Sequence, residues 1–178
     1  VAGVRAVESI QHRFAYIGPD LQDLYGVHAA TFARATALQD SYFPGSTVAQ
    51  VMNTLAAKPD AILVSAETAN DFQLQVGDPL TLRLTDSAAH HIPVTFHYIG
   101  VVNEFPTAPK DSFFVANADY IAAQPGSNTP GAFLIDAAGT DTGVVAAHIR
   151  AQLGTSATVT DIAAVRGTVG TSLTAVNL

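Results

Sequence analysis

Residues 61–85 read AILVSAETANDFQLQVGDPLTLRLT and hold the clearest signals of secondary structure in the chain. The four leading apolar residues follow a Lys-Pro-Asp breaker, which predicts a short buried strand over 61–64. Ser65 then opens a short helix, and Gly77-Asp78 is typical of a turn. Residues 79–85 alternate apolar and polar side chains, which predicts a half-buried strand. Strand, helix and strand in close succession predict a mixed α and β architecture.

The neighbouring segments extend this pattern to an α+β fold. IPVTFHYIGVV at 92–102 alternates for most of its length and pairs with 79–85 as an antiparallel hairpin whose tip lies near 86–91. Residues 19–28 and the polar stretch that follows them are predicted as loop and short helix. Further strands are predicted at 8–18, 112–117, 131–136 and 157–162. Further helices are predicted at 47–57 with Ser46 or Thr47 as cap, at 118–124 with Asn117 as cap, at 140–153, and at 161–178 with Asp161 as cap.

The order of these elements predicts two β-α-β units, one from each end of the chain. The first combines 8–18, 47–57 and 61–64, and the second combines 131–136, 140–153 and 157–161. We expect residues 1–65 plus 129–178 to form an α+β lobe and residues 66–128 to form an inserted β-rich lobe. The aromatic residues of the strands are expected in the core: Phe14, Tyr16, Phe96, Tyr98, Phe113 and Phe114.

Composition excludes several classes of function. The chain has 178 residues, 48% of them apolar and 13% charged, which suits a packed domain rather than a disordered one. Its net charge is −7 and its arginines are scattered, so no basic stripe exists for nucleic acid. No cysteine is present, which excludes disulfides and thiol chemistry. Neither GxGxxG nor GxxxxGK[ST] occurs, and no cofactor is predicted.

Three groups of residues are candidates for metal binding or catalysis, and a solvent-exposed or structural role explains each of them better. His90, His91 and His97, with Asp86 near, lack the spacing of a metal motif and suit a solvated hairpin tip. Lys110-Asp111-Ser112 invites a Ser-Lys mechanism, but neither Ser-x-x-Lys nor Gly-x-Ser-x-Gly occurs. Two carboxylate pairs are the nearest candidates for hydrolysis, Asp20 with Asp23 and Glu67 with Asp71, and the second pair, at i,i+4 on a short helix, is expected to face water. The sequence therefore predicts no catalytic and no metal site.

The segment EFPTAPKDSFF at 104–114 is the remaining candidate for function. Pro106 and Pro109 restrict the backbone of the segment and of the residues that precede them. Phe105 is predicted to anchor it in the core, while Lys110 and Asp111 stay in water. The segment is either a stiff connection between two strands or a lip that contacts a partner.

Three stretches together resemble the extracytoplasmic domain of an ABC-transporter permease of the FtsX/MacB-like family, in its large actinobacterial form. They are LVSAETANDFQLQVGDPLTLRL at 63–84, VTFHYIGVVNEFPTAPKDSFFVANADYI at 94–121, and VTDIAAVRGTVGTSLTAVNL at 159–178. The first has the family's strand, short helix, Leu-x-x-Gly-Asp turn and alternating strand. The last resembles a segment that leads into a membrane helix. The first 45 residues match the family least, since the long loop at 18–45 is unlike the family's compact start.

The resemblance implies a non-catalytic domain on the outer side of the cell membrane, with a ferredoxin-like or MacB-periplasmic-like core. Its partners would be the protein's own transmembrane helices, a cytoplasmic ATPase subunit, and cargo or an extracytoplasmic protein. The lobe from both chain ends would lie near the membrane, and the absent start methionine suits a domain between two membrane helices. Two alternatives stay open: a free-standing secreted or periplasmic binding module, and a hydrolase that uses Ser112 or a histidine-bound metal.

Overall fold

A computed structural model describes residues 1–137, 139 and 141–165 of the chain. Its strands are β1 Ala6–Ile17, β2 Asp20–Val27, β3 Ala61–Ser65, β4 Pro79–Thr85, β5 His91–Val102, β6 Phe113–Asn117 and β7 Pro130–Asp136. Its helices are α1 Ala29–Ala35, α2 Val48–Ala57, α3 Ala66–Asp71, α4 Ala118–Ala122 and α5 Thr142–Leu153, with 3₁₀ turns at Asp40–Tyr42 and Gly154–Ser156. The predicted α+β class is confirmed.

The strands form one seven-stranded mixed sheet in the order β2-β6-β3-β5-β4-β1-β7. β1 also pairs with β2, in register from Gln11–Gly26 to Ile17–Asp20. Because β1 therefore lies between β2 and β4, the first six strands of that order close into a barrel, and β7 adds to β1 outside the ring.

Alternate side chains of the six strands fill the barrel. β4 shows this most clearly, because Leu80, Leu82 and Leu84 are buried while the residues between them are exposed. Ala69 of α3 and Ile121 of α4 join the same core. Since β3 and β6 run antiparallel, the helices that follow them lie at opposite ends of the barrel.

A second core lies outside the barrel wall, between the strands and helices α1 and α2. Phe32 and Leu55 pack there against Phe113, Val115 and other residues of the strands. Helix α2 begins as predicted after Thr47, whose side chain accepts a hydrogen bond from the backbone of Gln50 while the Gln50 side chain accepts one from the Thr47 backbone. α2 is thus fixed by its cap and by its apolar face.

The chain divides into two compact units, Glu8–Leu134 and Val1–Val7 with Ile135–Leu178. The larger unit holds the barrel. In the smaller unit, Ala137, Val145 and Ile149 form a small core against which Val4 and Val159 pack. The Arg5 backbone donates to the Asp136 carbonyl at 2.8 Å, and the Arg5 side chain pairs with the Asp136 carboxylate. The N-terminal segment and the described C-terminal segment therefore meet in one unit.

This division differs from the lobes predicted at 1–65 plus 129–178 and at 66–128. Strands on both sides of residue 65 share the barrel, since β3 pairs in parallel with β5 and antiparallel with β6. The predicted first β-α-β unit also assembles differently, because β1 and β3 are not neighbours in the sheet. Closure of the barrel depends on pairing between strands that are distant in sequence, and the local periodicity of the sequence does not predict such pairing.

The prediction of loop and short helix is wrong for residues 20–27, whereas the stretch that follows does hold the short helix α1 and a loop. Residues 20–27 form β2, paired antiparallel with β1 and parallel with β6. Gln22 obscures the strand pattern because it is a polar residue on the barrel interior, where it accepts a hydrogen bond from Thr68 at 2.9 Å. Both edges of β2 are paired, and neighbouring residues such as Leu24 and Tyr25 are buried on opposite faces.

The C-terminal part departs from prediction once more. No strand is present at 157–162, which is irregular up to residue 161. The helix predicted from Asp161 does begin there, because the Asp161 side chain accepts from the backbone of Ala163 and Ala164 and residues 162–165 are helical. Residues 166–178 of that predicted helix lie outside the described residues.

Candidate functional site

The segment between β5 and β6 is anchored at Phe105, as predicted. Only 6% of this side chain is exposed. Its ring stacks on Phe32 of α1, with 5.5 Å between centroids and 9° between planes, and lies 6.2 Å from the ring of Tyr25. Ala108 packs against the same core, and its backbone donates to the Phe105 carbonyl at 3.1 Å. The first half of the loop is therefore part of the outer core.

The second half of the loop turns outward. Pro106 is half-buried, whereas Pro109, Lys110 and Asp111 are exposed. An open depression of about 280 Å³ is lined by Ala66, Asn103, Glu104, Lys110 and Asp111. Its rim carries one amine and two carboxylates, which suits a polar contact on the surface rather than a closed ligand cavity.

Two residues of the loop adopt a backbone conformation that non-glycine residues rarely take. Thr107 has φ of 69° and Ser112 has φ of 62°. The Tyr25 hydroxyl donates to the Thr107 carbonyl at 3.3 Å, and the Asp23 backbone donates to the Ser112 carbonyl at 3.3 Å. Burial, with a smaller contribution from the Asp23 charge, raises the pKa of Tyr25 to about 12. Contacts with β2 thus hold both ends of the outward segment in place.

The histidines considered as metal ligands are not brought together. His90 lies 3.2 Å from the Asp86 carboxylate, His91 lies 3.4 Å from the Thr85 hydroxyl, and His97 lies 2.7 Å from Asp60. The pKa of Asp86 is lowered chiefly by a hydrogen bond from the His90 backbone. Across residues 1–137, 139 and 141–165, no group of three histidine, cysteine or acidic side chains could hold a metal ion.

The candidates for hydrolysis have structural partners instead. The Ser112 hydroxyl points to Glu67, at 3.4 Å from its carboxylate, and not to Lys110. Asp23 binds His12 at 2.5 Å rather than pairing with Asp20. Among the described residues, Ser112 and Asp23 are therefore held by these local contacts.

Sequence reasoning missed one surface feature. Phe14 was predicted in the core, but 54% of it is exposed on the outer face of β1. The alternation of β1 contains the signal, since Ala15 and Ile17 are buried inside the barrel and Phe14 has the opposite parity. Tyr16, on the same outer face, is half-buried rather than core, whereas the other four aromatic residues of that prediction are buried.

No protein-family model and no curated protein sequence matches this chain. Two solved structures are similar in fold. One is the extracellular domain of the noncanonic ABC-type transporter YknZ from Gram-positive bacteria, with 16% identity, a TM-score of 0.49, and coverage of 86% of this chain and 79% of the other. The second is a domain assigned to a permease protein from Porphyromonas gingivalis, with 10% identity, a TM-score of 0.45, and coverage of 86% of this chain and 65% of the other.

None of the described helices is long and apolar enough to cross a membrane.

Proposed function

We propose that this chain is a non-catalytic extracytoplasmic domain of an ABC-transporter permease of the FtsX/MacB-like type. The domain passes conformational change between membrane helices and a cargo or protein partner outside the membrane. The cytoplasmic ATPase subunit that the sequence resemblance implies supplies the energy, and this chain needs neither cofactor nor nucleotide site.

The observation that carries the proposal is the smaller unit. Val4 and Arg5 of the N-terminal segment contact Val145, Ile149 and Asp136 of the C-terminal part. A domain inserted between two neighbouring membrane helices must bring its two ends together, and the contact of residues 4–5 with residues 136–149 supports such an arrangement. The barrel is then available as a separate unit for contact with a partner.

The loop at 104–111 is the proposed partner contact. Phe105 and Pro106 fix its base, and Pro109, Lys110 and Asp111 present a rigid polar lip. Preorganisation reduces the entropy lost on binding, which favours a stiff loop as a contact. Lys110 lies beside the carboxylates of Glu104 and Asp111, so this surface offers charges of both signs to a partner.

The reading frame of the parent gene tests the membrane assignment. We expect hydrophobic stretches of about 20 residues before Val1 and after Leu178, each long enough to span a bilayer. A signal peptide upstream together with a stop codon directly after Leu178 would instead indicate a free-standing binding module.

A further inference from the structure

Outside the region covered by helices α1 and α2, the outer faces of four consecutive barrel strands form an exposed surface, here called the aromatic face. It spans β2, β1, β4 and β5, and its central residues are Phe14 and Tyr16 of β1. Phe14 is 54% exposed, and Leu21 of β2 is 51% exposed. Large exposed apolar side chains that adjoin one another on a sheet are typical of an interaction surface.

The pairing registers of the strands show which of these residues are neighbours on the face. Phe14 lies opposite Asp23 on β2, and Tyr16 lies opposite Leu21. On the other side of β1, Tyr16 lies opposite Arg83 of β4. Asp23 and Arg83 therefore lie on opposite flanks of the aromatic pair, about 12 Å apart by the usual spacing of strands and residues.

Both flanking charges are held in position. The Asp23 carboxylate contacts His12 at 2.5 Å, and the side chain of Asp23 is 26% exposed. The Arg83 guanidinium lies over the Tyr16 ring, 5.3 Å from its centroid, and donates to the Gly18 carbonyl at 2.6 Å. The face thus offers an acidic point, an aromatic centre and a basic point in a fixed order.

The arrangement of Asp23, the aromatic pair and Arg83 is complementary to the same arrangement on a second copy of the chain. A two-fold axis that lies along the face, between Phe14 and Tyr16, brings the rings of two copies together. The same rotation places Arg83 of each copy over Asp23 of the other, because the two charges exchange positions. An isologous contact needs this kind of self-complementary patch.

The distribution of charge also favours a second copy of the chain as the partner that binds this face. The chain carries a net charge of −7, which makes most contacts between two copies repulsive. On the aromatic face the remaining exposed outward positions of β4 and β5 are Pro79, Thr81, Thr85, His91, Pro93, Thr95 and His97, which include no acid. We propose that the aromatic face pairs two copies of this chain face to face, with Phe14 and Tyr16 central and reciprocal contacts between Arg83 and Asp23.

Sedimentation velocity of the purified chain, from low micromolar to millimolar concentration, tests this pairing. The wild-type mass should rise from 18.5 kDa towards twice that value. Phe14→Asp should raise the dissociation constant by about tenfold or more, because it places like charges face to face. Val144→Asp is the matched control, since it removes an equally exposed apolar side chain, 48% exposed, from α5 and should leave association unchanged.

Charge reversal gives the sharper result, because association regained in a mixture also shows that both variants are folded, and circular dichroism of each variant checks this independently. Arg83→Glu and Asp23→Arg should each abolish self-association, because each variant faces its own copy with like charges at both contacts. An equimolar mixture of the two variants should associate as heterodimers, in which both contacts are attractive. A wild type that stays at 18.5 kDa throughout, or a mixture that stays monomeric, would overturn the proposal.

Discussion

Replacing Phe105 with alanine tests whether the candidate loop is anchored in the core. A buried aromatic side chain removes about 150–250 Å² from water, which at about 25 cal/mol per Å² gives an upper bound of about 4–6 kcal/mol. Phe105 is only 6% exposed, and truncation of a buried phenylalanine usually costs about 3–5 kcal/mol. Because a loop can partly collapse into the space left, we expect a loss of about 3 kcal/mol in the free energy of unfolding.

Urea denaturation followed by circular dichroism measures this loss, with Phe72→Ala as the control. Phe72 is 38% exposed, and we expect its truncation to cost less than about 1 kcal/mol. The stack on Phe32 adds a second test, since the double variant Phe105→Ala with Phe32→Ala should show a coupling energy of about 1 kcal/mol. A cost below about 1 kcal/mol for Phe105→Ala would refute the anchoring argument.

Three further predictions concern the barrel and its helices. Thr47→Ala should lower the free energy of unfolding by about 1 kcal/mol through loss of the α2 cap, as measured in urea. Gly131→Ala should cost about 2 kcal/mol in the same assay, because the new methyl group would lie 2.5 Å from the His12 Cβ. The raised pKa of Tyr25 gives stability that is complete below pH 10 and is lost as the pH rises towards 12. Between pH 9 and pH 11, the free energy of unfolding should therefore fall by about 1 kcal/mol less in Tyr25→Phe than in the wild type. An equal fall in both proteins would contradict the raised pKa of Tyr25.

Local patterns were sufficient to predict most elements. Strict alternation identified β4 and most of β5, and cap residues identified the start of α2 and α4, where Asn117 accepts from the backbone of Asp119 and Tyr120. These signals depend on side chains close in sequence, so they survive without tertiary information.

The long-range features could not be predicted in the same way. β2 carries Gln22 on a buried face, and only its partner Thr68, from a distant helix, makes that position acceptable. The exposure of Phe14 depends on which neighbour covers β1, and helices α1 and α2 pack elsewhere on the barrel. Composition favours burial of an aromatic ring, and only the assembled barrel shows that this one is uncovered.

The candidate site shows the same division. The burial of Phe105 and the exposure of Lys110 and Asp111 followed from polarity and from the stiffness of the prolines. The contacts of the loop with Tyr25 and Asp23 could not be predicted from the sequence, because β2 was not recognised as a strand.

Labelling of the full-length protein in intact cells tests the proposed function most directly. The chain has no cysteine, so Ser87→Cys at the exposed β4–β5 hairpin tip and Ser65→Cys, at a side chain that is 1% exposed, each give this domain a single thiol. An extracytoplasmic domain predicts that a membrane-impermeant maleimide labels Ser87→Cys without cell lysis, and labels Ser65→Cys only after denaturation. Labelling of Ser87→Cys only after the membrane has been permeabilised would contradict the proposed function.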